Sequence, residues 1–338
     1  MRRCSVAVLV LLPAVAAGQG SPRVHRLPAT PHTVAWGYYS AAAAPVLRIA
    51  SGDIIEVETL LTNSPSRLEA AGLPPAEVEA SLRAITDSVK DKGPGGHILT
   101  GPVFVEGAEP GDVLEVRILQ VDLAIPYGYN GCSGFLRELC AEPRTRIIRL
   151  DAKHRRAELG SGIVVPLAPF FGSMGVAPPP DSGRVSSNPP GIHAGNLDNR
   201  ELVAGTTLFI PVHARGALFE VGDGHAAQGD GEVDQTAIET SLRGRLQLIV
   251  RKDLKLSWPR AETRSDVITM GADTSLTVAT RIALREMVAY LMAAKGLPQV
   301  EAYRLASIAG NLRITQLVDQ RMGVHMMISK KVLGLPSR

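Results

Sequence analysis

Twice in this chain a short apolar run meets a turn carrying Gly-Asp and then reopens as a β-branched stretch. The first unit is Pro45–Ala50, then Ser51-Gly-Asp53, then Ile54-Ile-Glu-Val-Glu-Thr59. The second is Pro102–Val105, then Glu109-Pro-Gly-Asp112, then Val113–Val121. β-Branched residues with partial period-two alternation, bounded by turn formers, predict strands. A third unit, Leu202–Pro211, replaces Gly-Asp with Gly-Thr. The recurrence points to one barrel or sandwich geometry rather than to a tandem repeat.

Between the first two units, Pro74–Asp91 reads as a short amphipathic helix with prolines near its start. After Trp258 the pattern changes. Ala279, Ala283, Met287, Leu291 and Ala294 recur at helical spacing, and Gly296 is a stop signal. Pro298 then suits the first turn of a second helix ending near Ala309. The expected fold class is α+β, with a β-rich barrel or sandwich body to about residue 260 and a C-terminal α-helical hairpin over about 273–310.

Met1–Ser5 is a short basic segment, and Val6–Ala16 is an apolar run of signal-peptide length. Ala14-Val-Ala16 supplies a small-x-small pattern, so residues 1–17 are read as a signal peptide cleaved after Ala16 or Ala17. An uncleaved anchor is the alternative. Cleavage implies export to the periplasm or beyond, with no membrane association afterwards. It also removes Arg2 and Arg3, leaving 34 basic against 33 acidic residues out of the 36 and 33 in the full chain. No basic stripe interleaved with aromatics remains, which argues against nucleic acid and for a small, nearly neutral substrate. Homo-oligomerisation is left open. Cys132 and Cys140 are the cysteines of the mature chain, and an oxidising compartment would allow them to pair. Two buried thiols are the alternative.

The chemistry concentrates in glycine-containing segments. Gly222–Glu232 holds Gly222, Gly224, Gly229 and Gly231 together with Asp223, His225, Asp230 and Glu232, and has no bulky apolar side chain. Read as a loop, it lets the backbone enter positive-φ conformations and crowd polar groups around one cation. His225 and Glu232 are its strongest metal candidates. Asp223 and Asp230 read as turn formers or as groups that orient a histidine. About thirty residues earlier, His193-Ala-Gly-Asn-Leu-Asp198 again places a histidine and a carboxylate together, after the proline- and glycine-rich connector over 172–190. Asp198 is a ligand candidate, with capping of a helix-like segment over 199–203 as its alternative. His193 reads as site-lining, either a ligand or a hydrogen-bonding partner of substrate.

These motifs, with Gly96–Pro102, Val105–Asp112, Lys255–Glu262 and Leu312–Asp319, resemble the acetamidase/formamidase family over roughly residues 23–335. The resemblance implies a metal-dependent hydrolase of linear carbon–nitrogen amide bonds, with formamide and acetamide as default substrates and ammonia as product. It promotes His97 to a ligand beside Asp198, His225 and Glu232, and places Glu232, Asp230 and His193 in catalytic or site-lining roles. The implied cofactor is a divalent metal: zinc if histidines converge on it, calcium if carboxylates and carbonyls dominate. A bound cation addresses the weakness of water as a nucleophile by lowering its pKa from about 16 to about 7. A small-lactam hydrolase is the neighbouring alternative, and a secreted calcium-stabilised binding module is the non-catalytic one. Cys132 is kept as a weak alternative nucleophile. Asp234-Gln235 departs from the Cys-Gly expected after the Glu-Val pair in the family, and export departs from its mainly cytoplasmic members.

Overall fold

The computed structural model describes residues 21–142 and 144–336. The signal segment expected over 1–17 lies outside those residues. Two large sheets form the body. A nine-stranded sheet runs in the order 24–27, 54–59, 242–251, 113–123, 207–211, 260–262, 266–273, 322–329 and 310–316. A six-stranded sheet has a path of 194–196, 170–175, 219–225, 98–105 and 34–36, with 47–49 joining parallel to 98–105. Their facing apolar side chains share one core. Ile55, Val57, Val116, Leu208 and Leu246 from the larger sheet meet Val103, Phe171, Met174, Phe219 and Val221 from the smaller. The body is therefore a sandwich, and no barrel closes among the described residues.

The repeated turn units are the corners of this sandwich. Leu47–Ile49 belongs to the six-stranded sheet and Ile54–Thr59 to the nine-stranded one; Ile98–Val105 and Val113–Leu123 divide in the same way. At each corner the aspartate folds back on the turn. The Asp53 carboxylate accepts the Ala50 N–H at 3.2 Å, and the Asp112 carboxylate accepts the Glu109 N–H at 3.0 Å. Gly52 and Gly111 take φ of 98° and 88°, which a side chain would strain. Both aspartates are buried and paired, Asp53 with His25 and Asp112 with Lys252.

Helix α1 (Pro65–Ala70) was not anticipated. Ser64 caps it, accepting the Arg67 N–H, and Pro65 occupies its first turn, where a missing N–H costs nothing. Helix α2 (Ala80–Ser88) falls inside the expected amphipathic segment and buries Leu82 and Ile85. With Leu68 of α1 they share a second core with Tyr127 and Tyr129. The C-terminal hairpin is α3 (Leu276–Lys295) and α4 (Gln299–Ala309). Ala279, Ala283, Met287 and Leu291 form the buried stripe of α3, Ala294 is exposed, and Gly296 ends the helix in the left-handed conformation. No helix among the described residues is long and apolar enough to cross a membrane.

Candidate functional site

The Gly222–Glu232 segment is not a loop throughout. Its first four residues end the fully buried strand Phe219–His225. Of its four glycines only Gly231 has a positive φ, at 88°. Gly222 and Gly224 serve close approach instead: a methyl group on them would lie 2.6 Å from the Ile98 carbonyl oxygen and 2.5 Å from that of Thr240. Alternation along the strand puts Asp223 and His225 on one face. The left-handed positions fall on the acids themselves, with φ of 47° at Asp198, 56° at Asp223 and 43° at Glu232. Such backbone strain costs on the order of 1–3 kcal/mol per residue and clusters at functional sites.

These residues meet in a cavity of about 370 Å³, whose lining includes His97, Asp198, Asp223, His225, Glu232, Glu239 and Asp319. His225 Nε2 lies 3.3 Å from both Asp223 Oδ2 and Glu239 Oε2, 3.9 Å from Asp198 Oδ1 and 4.0 Å from Glu232 Oε1. Two overlapping triads result, Asp198–His225–Glu232 and Asp223–His225–Glu239. Within each, the ligand-type atoms lie within 4.8 Å of one another and every residue is buried. His97 approaches through Asp223, with Nε2 at 3.8 Å from Oδ1.

Hydrogen bonds fix both imidazoles. Gln228 Nε2 donates to the Asp198 carbonyl at 2.7 Å, which turns its Oε1 toward His225 Nδ1 at 2.8 Å. An amide oxygen only accepts, so His225 carries a proton on Nδ1 and directs Nε2 at the carboxylates. The Ser187 carbonyl, 3.1 Å from His97 Nδ1, fixes that ring in the same sense. Asn196 donates to Asp198 Oδ2 at 2.6 Å and leaves Oδ1 buried with no hydrogen-bond partner; Asp319 Oδ2 is likewise unpartnered.

Electrostatics follow from this crowding. Burial raises the Asp198 pKa, and Glu232 and Asp319 push it further. Burial likewise raises Glu232, Glu239 and Asp319, against the pull of nearby imidazoles. Burial would raise Asp223 too, but His97 and His225 outweigh it and hold its pKa low. Burial lowers the basicity of His225, and Glu239 and Asp223 more than reverse that. A metal ion would take the place of the Nε2 proton, since metals bind the deprotonated ring.

At the centre, Gly172, opposite Asp223 in the Phe170–Gly175 strand, lets these groups crowd close against the backbone. A methyl group there would lie 2.4 Å from Asp198 Oδ1, 2.6 Å from Asp223 Oδ2 and 2.8 Å from His225 Cε1. Buried acids converging on the wall of this cavity, with an unpartnered carboxylate oxygen among them, fit a cation.

The fold thus brings His97, Asp198, His225 and Glu232 around one cavity, across 136 positions of sequence from 97 to 232. It does not bring Asp230 or His193 there. The Asp230 carboxylate lies outside the cavity lining and is held by Arg313 at 2.6 Å. His193 lies outside the lining, buried edge-on against Tyr39 with ring centroids 5.1 Å apart. Burial lowers its pKa to about 4, with His213 and Arg321 adding to the effect. Asp198 caps no helix, since residues 199–203 form only turns and a bridge. Cys132 is bonded to Cys140 and is no free nucleophile.

Sequence reading undervalued Asp223 and missed Gly172, Glu239, Asp319 and Gln228. Asp223 stands two residues from His225, a spacing that shares a face only in a strand, and Asp319 closes a motif already noted for its resemblance. Gly172 and Glu239 carry no local signal. Asp234 and Gln235 both line the cavity, and Gln235 takes a φ of 75°, a conformation that favours the glycine expected there.

Residues 86–188 and 182–330 match the family model described as Acetamidase/Formamidase family. The formamidase of Methylophilus methylotrophus is 28% identical over 196 residues, 40% of this chain and 47% of that protein. The chain spans about half the length of the curated relatives it matches. Among solved structures, an acetamidase from Yersinia enterocolitica is 30% identical with a TM-score of 0.79, covering 94% of this chain and 95% of that one. An acetamidase from Bacillus halodurans is 27% identical with a TM-score of 0.77, covering 92% and 99%. On its fold and on these two matched segments, which include His97, Asp198, His225 and Glu232, this chain belongs to the acetamidase/formamidase family.

Proposed function

We propose that this protein is an exported, divalent-metal-dependent amidase that hydrolyses the carbon–nitrogen bond of small linear amides and releases ammonia. The observation carrying this reading is His225 Nε2 facing four buried carboxylates beside Gly172. Asp198, His225 and Glu232 would hold the ion, and His97, fixed by Ser187, extends the donor set through Asp223. Carboxylates outnumber imidazole here, but calcium takes oxygen ligands, so His225 among the donors favours zinc or a similar transition ion. When bound, the ion supplies Lewis acidity toward the carbonyl and makes water more acidic.

The remaining work falls to the chain's own groups. Asn188 lines the cavity and accepts the Gly96 N–H on Oδ1 at 2.8 Å, which leaves its Nδ2 to donate to a substrate carbonyl oxygen. Asp319 lies outside both triads, hydrogen-bonded toward Asp198, and is suited to carry a proton from water to the departing nitrogen. Export is supported by the sequence of residues 1–17 and by the Cys132–Cys140 bridge, because disulfides persist in oxidising compartments. Mass spectrometry of protein from its native host should find an N-terminus at Ala17 or Gly18. An intact cytoplasmic chain starting at Met1 would overturn export.

The test of activity is ammonia release from formamide, acetamide, propionamide and small lactams, before chelation, after it, and after restoring zinc or calcium. Turnover of the linear amides, lost on chelation and restored by zinc, is expected. Turnover that survives complete metal removal refutes the metal role, and silence toward every amide in the metal-loaded state refutes the amidase reading.

A further inference from the structure

The cavity is larger than its simplest substrates require. Acetamide has four heavy atoms, and a single water takes about 30 Å³ in the liquid, whereas the cavity holds about 370 Å³. Its floor is acidic, but its wall includes two arginines, Arg67 and Arg144. Arg144 is held by Glu142 at 2.8 Å. Among the described residues Arg67 has no carboxylate within salt-bridge distance, and its guanidinium makes no hydrogen bond.

Arg67 is nevertheless placed by a firm support. It precedes Leu68, which is 0% exposed and anchors α1 in the core beneath the site. Ser64 caps the helix through the Arg67 N–H, and the Tyr129 hydroxyl donates to the Thr62 carbonyl at 2.6 Å, just before α1. Thr62 and Tyr129 line the same cavity. Burial raises the Tyr129 pKa, and Arg67 is the cation that works against that rise. An exposed, unpaired guanidinium carried on a fixed helix start at the cavity edge is a site for a carboxylate, which it can bind through two parallel N–H donors.

We propose, resting on the amidase reading, that the preferred substrates are amides bearing a carboxylate at the end remote from the scissile bond, and that Arg67 is the specificity residue that binds it. Carboxylates outnumber the cation on the floor, so a substrate carboxylate is favoured at Arg67 over the floor, which orients such a substrate amide-first. One pole of the cavity selects the amide and the other the acid.

The probes are ω-carboxy amides from malonamate to adipamate, each compared with the diamide of equal length, using the metal-loaded enzyme. In succinamate and succinamide, for example, a carboxylate replaces a neutral amide of nearly the same shape. For the length that spans the cavity, kcat/KM should favour the carboxylate at least tenfold, and rising salt should shrink that ratio. Arg67→Met should bring the ratio close to one, and Arg67→Lys should restore part of it. A wild-type ratio at or below one at every length overturns the proposal, as does a ratio that Arg67→Met leaves intact. Calorimetric binding of the same pairs separates the two readings. Tighter, Arg67-dependent binding of the carboxylate form without ammonia release upholds this specificity while refuting the amidase. Ammonia release with no carboxylate preference does the reverse.

Discussion

Gly172→Ala isolates the centre of the site with one methyl group. Gly172 lies outside the left-handed region, so alanine can adopt its backbone conformation without strain. The added carbon would nevertheless lie 2.4 Å from Asp198 Oδ1, 2.6 Å from Asp223 Oδ2 and 2.8 Å from His225 Cε1. Each separation is roughly 1 Å inside ordinary carbon contact. Replacing a strand glycine gains about 0.5–1 kcal/mol, and overpacking costs about 1–3 kcal/mol, so the net loss of stability should be about 2.5 kcal/mol or less. Function should suffer far more. Moving reacting or ligating groups by about 1 Å costs on the order of 100-fold in rate. The measurements are ammonia release from formamide and acetamide, metal content after dialysis, and a thermal melt. A variant that melts within a few degrees of the parent yet loses about 100-fold in turnover supports the assignment. A variant with parental turnover and metal content would mean that the reaction centre lies elsewhere.

His225→Ala and Glu232→Ala should each lose metal and at least 100-fold in activity while circular dichroism keeps the helical signal of α3 and α4, which rest on a separate core. Full metal occupancy in both variants would disprove the ligand assignment. Acid should destabilise the fold through buried histidines: burial lowers His193 and His325 to about 4, with Arg313 adding to the effect at His325 against Asp230. A depressed histidine pKa gives stability that is complete above the unfolded value near 6.5 and lost as pH falls toward 4, or about 2 kcal/mol per group between pH 7 and 5. The carboxyl of Glu220, raised by burial, works in the opposite sense. The effect is therefore best read as the difference between the parent and His325→Gln in melts at pH 7 and pH 5. Parallel pH dependences would sink it.

Features set by neighbours in sequence were legible, and features set by distant pairing were not. The stripe Ala279, Ala283, Met287, Leu291 and the stop at Gly296 needed only helical periodicity, and both appear as expected. The two Gly-Asp turns were visible, but not that each joins different sheets, because sheet membership depends on partners far along the chain. At the site, His97, Asp198, His225 and Glu232 stood in glycine-containing motifs that could be read directly. Gly172 matters only because residues 170–175 pair with 219–225, some fifty positions away. Composition suggested a loop at 222–225, since a strand with two glycines looks unfavourable until the neighbouring carbonyls that fill their space are known. The place of Asp230 outside the cavity lining was not legible, because its partner, Arg313, lies 83 positions distant.

The paired corners also bear on how the molecule would come apart. The chain leaves the smaller sheet at 47–49 and at 98–105, strands that lie side by side, and enters the larger sheet at 54–59 and 113–123. Those two incoming strands clasp the same partner, 242–251, from opposite edges. The covalent path therefore crosses between layers on both flanks of one strand, with a buried aspartate bonded into each crossing. Sliding one sheet over the other would have to open both crossings together, and freeing 242–251 would release both clasping strands. Slow amide exchange in 54–59, 113–123 and 242–251 would then share one opening free energy, a single cooperative unit of unfolding. Residue 242 begins the central member of that unit, three positions after Glu239. One wall of the amidase-family cavity is thus fastened to that cooperative unit.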